Sequence, residues 1–203
     1  MPQVSLSTFV DDVASTGTTR LAKVRAANRR YARDYQPALD YYGPLRRRVV
    51  QVFQEGWDPQ RFDQLLNDVT DPKKQANYAN CRRGLRRWAG VSGRKAFAWN
   101  PPRRATWRSG GLEVAINPEL WVEIDGVGHV VKLYFKADRR SQHKVTLSLR
   151  LLENTVGRFG TVAIVDVQQG KLFIQRTEPP AGIDLVLESE AMSLALLWEA
   201  LEG

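Results

Sequence analysis

Through the first ninety residues the apolar positions recur at helical spacing; after Gly111 they alternate or cluster in short runs, as strands do. Gly17-Thr18-Thr19 opens a helix reaching about residue 35, with Leu21, Val24, Tyr31 and Tyr35 along one side. Pro44 suits the first position of a second helix, whose stripe is Leu45, Val49, Val52 and Phe53. Asp58-Pro59 and Asp71-Pro72 each pair a capping carboxylate with a proline, the signature of a helix start. The third helix, 59–69, buries Phe62, Leu65 and Leu66. The fourth, 72–89, turns Tyr78, Cys81, Leu85 and Trp88 inward at 3-4-3 spacing.

Beyond Gly111 the pattern predicts strands at 112–116, 120–125 and 129–136, the last two joined through Gly126-Val127-Gly128. Ser141 caps a helix running to about residue 155, with Val145, Leu149 and Leu152 on one face. Strands at 161–167 and 171–176 form a hairpin around Gln168-Gln169-Gly170, and the run Val162-Ala163-Ile164-Val165 suits a strand covered on both faces. After Pro179-Pro180 a last helix, 188–201, is expected to bury Met192, Leu196, Leu197 and Trp198. The expected class is α+β: an N-terminal helical domain (1–98), a connector (99–111), and an α/β domain (112–203) holding a three-strand meander, a helix, a two-strand hairpin and a C-terminal helix.

Charge divides the chain in the same place. Residues 1–108 hold 21 Lys/Arg against 9 Asp/Glu, an excess of +12, whereas residues 109–203 hold 9 against 13, or −4. Such asymmetry directs one half toward a polyanion, unless the halves neutralise one another across an interface. From Pro72 to Ala105 there is no acidic residue. Arg82 with Arg86 and Arg83 with Arg87 are i,i+4 pairs of like charge, which cost helix stability unless anions lie nearby. Arg46, Arg47 and Arg48 fall in the first turn of their helix, where the dipole opposes cations and favours a bound phosphate. With Lys73, Lys74, Arg103, Arg104 and Arg108, these side chains form the expected contacts to a nucleic-acid backbone, DNA in the first instance. In the connector, Phe97, Trp99 and Trp107 interleave with arginine, a pattern suited either to stacking on bases or to folding back on a neighbouring domain.

Other chemistry is thinly represented. Cys81 is the lone cysteine and His129 and His143 the only histidines, which excludes an intrachain disulfide, a Cys-rich zinc site and a His-built metal cluster and leaves a site using carboxylates. No GxxxxGK[ST] or GxGxxG loop occurs, and no apolar run approaches the roughly 20 residues that span a bilayer. The first residues, Met1-Pro2-Gln3-Val4 with Asp11-Asp12 soon after, lack the regions of a signal peptide, so no membrane partner and a cytoplasmic location are expected.

A meander, a helix and two further strands, with the hairpin Trp121-Val122-Glu123-Ile124-Asp125-Gly126, resemble the PD-(D/E)XK nuclease superfamily over about residues 105–176. In that family an Asp on the second strand and a (D/E)-x-K triplet on the third gather Mg²⁺ against the scissile phosphate. The resemblance places Glu123 or Asp125 at the first of these positions and Lys136 at the triplet lysine, with Glu113 and Asp125 as metal ligands. The triplet then reads Tyr134-Phe135-Lys136, with tyrosine in place of the carboxylate; using Lys132 it reads Val130-Val131-Lys132. Asp125-Gly126 also suits plain turn chemistry. The resemblance thus implies a degenerate, nucleic-acid-binding accessory protein in bacterial DNA processing or phage defence, needing no cofactor. An active enzyme using Mg²⁺ and a protein-interaction subunit with a protein partner are the alternatives.

Overall fold

The computed structural model describes residues 1–203 apart from 33–39, 59, 62–68, 91–96, 137–140, 176–177 and 202–203. A short strand, β1 (Gln3–Ser5), leads into α1 (Leu6–Val13), which Ser5 caps by accepting a hydrogen bond from the Thr8 amide. Next come α2 (Gly17–Tyr31), α3 (Gly43–Gln54, with Pro44 in its first turn) and α4 (Pro72–Ala89). The Asp71 carboxylate caps α4 through the amides of Lys73 and Lys74, at 2.9 and 3.3 Å. Five strands follow: β2 (Phe97–Asn100), β3 (Ala105–Ser109), β4 (Leu112–Ile116), β5 (Leu120–Ile124) and β6 (Val127–Tyr134). The chain then forms α5 (Gln142–Val156, capped by Ser141), β7 (Thr161–Asp166), β8 (Lys171–Ile174) and α6 (Ile183–Glu199). The class is α+β. The expected third helix, with Phe62, Leu65 and Leu66, lies outside the described residues.

Two sheets organise these strands. The larger has the order β2-β5-β6-β7-β8; only β6 and β7 run parallel, joined by the α5 crossover. The smaller has the order β1-β4-β3, with β1 parallel to β4 across a sequence separation of 110 residues. This corrects the expected meander. β4 does not pair with β5; its neighbours are β3 and β1, and the place beside β5 belongs to β2. Asn117-Pro118-Glu119 lies between β4 and β5, and there the chain changes sheets.

The partition into a helical domain 1–98 and a separate domain 112–203 is corrected as well, because both cores draw on both halves. On one face of the larger sheet, α3 and α4 pack Leu45, Val49, Phe53, Tyr78, Leu85 and Trp88 against Val122, Val131, Leu133 and Val165. On the other face, Phe9, Val10 and Val24 of α1 and α2 join the smaller sheet, α5 and α6 around Val130, Val162 and Ile164. Residues 99–111, read as a connector, supply strand pairing to both sheets, and Trp99 and Trp107 fold back onto the two cores. The central run Val162–Val165 is buried throughout, as its unbroken apolar sequence requires, and burial continues through Asp166 and Val167.

α6 departs from expectation in its face. Ile183, Leu187, Ala191, Leu194 and Trp198 point inward, whereas Met192 and Leu196 point to solvent.

Candidate nucleic-acid interface

α4 is seated on the larger sheet by its apolar stripe. Tyr78, Cys81 and Leu85 are fully buried, with Trp88 nearly so. Between them Gly84 meets the β7–β8 turn so closely that an added Cβ would lie 1.9 Å from the Val167 carbonyl oxygen. Burial pushes the Cys81 thiol up to about 12, with the charge of Asp166 adding to it, and the thiol faces the Phe135 carbonyl at 4.0 Å. At neutral pH it stays protonated, a packing residue and not a nucleophile.

That seating fixes where the arginines go. Arg82 and Arg86 flank the stripe half-buried, while Arg83 and Arg87 are exposed one turn apart. Arg83 donates to the Asn80 side chain and Arg87 to the Gln169 carbonyl, at 3.1 Å, so neutral groups orient both. The starts of α3 and α4 lie side by side: the Tyr78 hydroxyl donates to the Tyr41 carbonyl at 2.6 Å, and Asn77 to the Tyr41 hydroxyl at 2.9 Å. Lys74 sits over the Tyr41 and Tyr78 rings, 5.5 and 5.8 Å from their centroids. Lys73 and Arg47 are exposed near these two helix starts, and Arg48 turns back to the Arg61 carbonyl and Gln51 at 3.0 Å each.

Arg46 is used differently. It pairs with Asp40 at 2.8 Å and reaches Glu119 at 3.4 Å, with the Phe135 ring beneath it. Arg103 lies over Trp121 and Phe159, about 5 Å from both ring centroids. Arg104 is exposed, and Arg108 pairs with Glu113 at 2.7 Å. Among ion pairs between described residues, two of the twelve sequence-nominated cations take part, Arg46 and Arg108. Cross-half pairing of basic front to acidic back is confined, within the same set, to Arg46–Glu119, Arg20–Glu190 and Arg108–Glu113.

The nuclease residues named from the sequence are not brought together. Glu123 is exposed near the end of β5, and Asp125 occupies the following turn with φ 51°, ahead of Gly126 at 83°. Both central residues at positive φ make this a type I′ hairpin turn, the service that Asp-Gly ordinarily performs. Lys136 lies past the opposite end of β6, a strand of eight residues, so the turn and this lysine are roughly 25 Å apart. Glu113 belongs to the other sheet, held by Arg108 and Gln3. No group of three His, Cys, Asp or Glu side chains suited to a metal forms among the described residues.

Lys136 instead joins Lys144 in a clamp on Asp11 of α1, at 2.9 and 2.6 Å. Burial pushes the Asp11 pKa up, but the hydrogen bonds from Lys144 and Lys136 outweigh it and hold the carboxyl below its ordinary 3.8. A depressed carboxylate stabilises the fold above its unfolded pKa, and the contribution disappears as pH falls through the lower folded value. The clamp is therefore intact at neutral pH and released only in acid.

One pairing was missed in the sequence. Glu119, immediately before β5, is buried, with one carboxylate oxygen 2.7 Å from Lys132 Nζ and the other accepting from the Leu133 amide at 2.8 Å. Lys132 Nζ also donates to the Asn117 carbonyl at 2.8 Å. A buried carboxylate is uncommon in any sequence unless paired, and the available hint was Lys132 alternating with apolar Val130 and Tyr134 on β6.

Comparison with protein-family models and with curated proteins returns no match. No helix among the described residues is long and apolar enough to cross a membrane.

Proposed function

We propose that this chain binds nucleic acid, DNA in the first instance, through the surface built on α4 and the starts of α3 and α4, without cleaving it. The observation that carries the reading is the pair Arg83 and Arg87: exposed, one helical turn apart, and oriented by neutral groups. Positions four residues apart on a helix are separated by about 6 Å along its axis, which lets the two guanidinium groups reach neighbouring phosphates of one strand. Exposed Lys73 and Arg47 extend the cationic surface around the adjoining helix starts. Contacts of this kind position a backbone and carry no sequence information.

The likeness to the PD-(D/E)XK superfamily is supported by the order α4, antiparallel β2-β5-β6, α5 and parallel β7, with the β3–β4 hairpin inserted after the first strand. On this layout the second-strand acidic position belongs to Glu119, preceded by Pro118, and the third-strand lysine is Lys132. The triplet reads Val130-Val131-Lys132, with valine where a metal-binding carboxylate is needed. Lys132 and Arg46 already neutralise Glu119, leaving one carboxylate where a hard dication requires several. The scaffold is retained as a platform and its hydrolytic chemistry is absent.

Incubation with plasmid DNA in Mg²⁺ or Mn²⁺ tests both parts at once. The expected result is retarded but intact DNA. Metal-dependent nicking that Glu119→Gln abolishes would make the protein a nuclease, and unretarded DNA at low salt would remove the binding role.

A further inference from the structure

The outer face of α6 carries an apolar stripe that neither core uses. Leu185 is 70% exposed, Leu196 67%, Met192 51% and neighbouring Val186 43%, on a helix that contains no lysine or arginine. Together they expose roughly 400 Å² of apolar surface, within the range at which a monomer's largest patch is commonly functional. We infer that this stripe is a dimer interface, on which a second copy of the chain packs its own α6 antiparallel about a two-fold axis.

The spacing supports a self-complementary contact. Leu185, Ser189, Met192 and Leu196 follow one another at intervals of 4, 3 and 4, which reads the same in both directions. With the axis between Glu190 and Ala191, Leu185 meets the partner's Leu196, and Met192 meets the partner's Ser189. Ser189 is small, and its hydroxyl is already satisfied by the Val186 carbonyl at 3.0 Å, so it can receive the methionine without losing a hydrogen bond. Charge does not oppose the contact. Glu188 falls opposite Ser193 and Glu199 opposite Gly182, so no like charges are brought face to face. Acids along a cation-free helix also disfavour an anionic lipid surface or a nucleic acid as the occupant.

The area sets the strength. Two copies with their flanking residues would bury about 1,000 Å² in total, at the low end for specific association, which corresponds to a dissociation constant on the order of micromolar. Because the contact is isologous, assembly stops at two.

Sedimentation velocity on the full chain across a concentration series tests this. The expected mass rises from 23.0 kDa toward twice that value between about 1 and 100 µM. Leu196→Glu and Leu185→Glu, both at exposed positions, should each hold the protein at the monomer mass with unchanged circular dichroism, and 0.5 M NaCl should leave the wild-type dimer in place. Val127→Glu, which alters an exposed apolar residue on the β5–β6 turn, should leave the dimer intact. A monomer throughout, continued growth beyond two copies, or a dimer indifferent to both glutamates would overturn the proposal.

Discussion

Replacing Arg83 and Arg87 together with glutamate is expected to weaken binding to a DNA duplex by about 100-fold at low salt, equally for unrelated sequences. Each substitution removes a charge-assisted contact of roughly 1.5 kcal/mol and adds repulsion, so tenfold per site is a conservative expectation. Stability should barely change. Both side chains are exposed, and what they give up is one bond to Asn80 and one to the Gln169 carbonyl. Fluorescence anisotropy with a labelled duplex reads the affinity, and a thermal melt confirms the fold. Unchanged affinity would take α4 out of the interface. Arg46 makes the informative contrast: its reversal would break a network with Asp40 and Glu119, so the fold would suffer along with any binding.

The second large effect concerns how α4 is held. Gly84→Ala should lower the melting temperature by about 6–12 °C, a loss of roughly 3 kcal/mol for a chain of this size. Helix propensity alone would favour alanine by about 1 kcal/mol. Steric contact decides against it, since the new methyl would lie 1.9 Å from the Val167 carbonyl oxygen and 2.8 Å from the Gln168 carbonyl carbon, both backbone atoms. Gly170 answers from the turn, at φ 64° and with its own missing Cβ 2.4 Å from the Gly84 carbonyl oxygen. Neither neighbour can step aside without moving a strand end. A melting temperature equal to or above wild type would mean that α4 does not rest on the β7–β8 turn, and the arginines would then need a different placement.

Local signals were legible in the sequence and distant ones were not. Asp71-Pro72, the Tyr78-Cys81-Leu85-Trp88 stripe and the Ser141 cap depend on neighbours within a turn or two, and each stands where its pattern placed it. β1 is three residues long, and its partner β4 lies 110 positions away, so nothing near Gln3 announces a strand. The same non-locality misplaced β4, because alternation identifies a strand and leaves its neighbours open. In α6 the fault was contrast. Leu185, Val186, Leu187, Leu194, Leu196 and Leu197 put apolar residues on every side, so no single inward face stands out by periodicity.

The candidate site divides in the same manner. The basic character of α4 could be read directly, because no acid is interleaved and exposed charge follows helix geometry. The acidic partner of Lys132 could not be read, because burial of Glu119 depends on where β5 joins β6, and Asp125 stands where the hairpin turn needs a positive φ.

Wild-type affinity for one labelled duplex, measured between about 50 and 300 mM NaCl, is the most direct test of an open cationic surface. Four or more phosphates neutralised by Arg47, Lys73, Arg83, Arg87 and their neighbours require log K to fall linearly with log salt, with a slope of about −4 or steeper. A slope near zero, or no binding at the lowest salt, would contradict it.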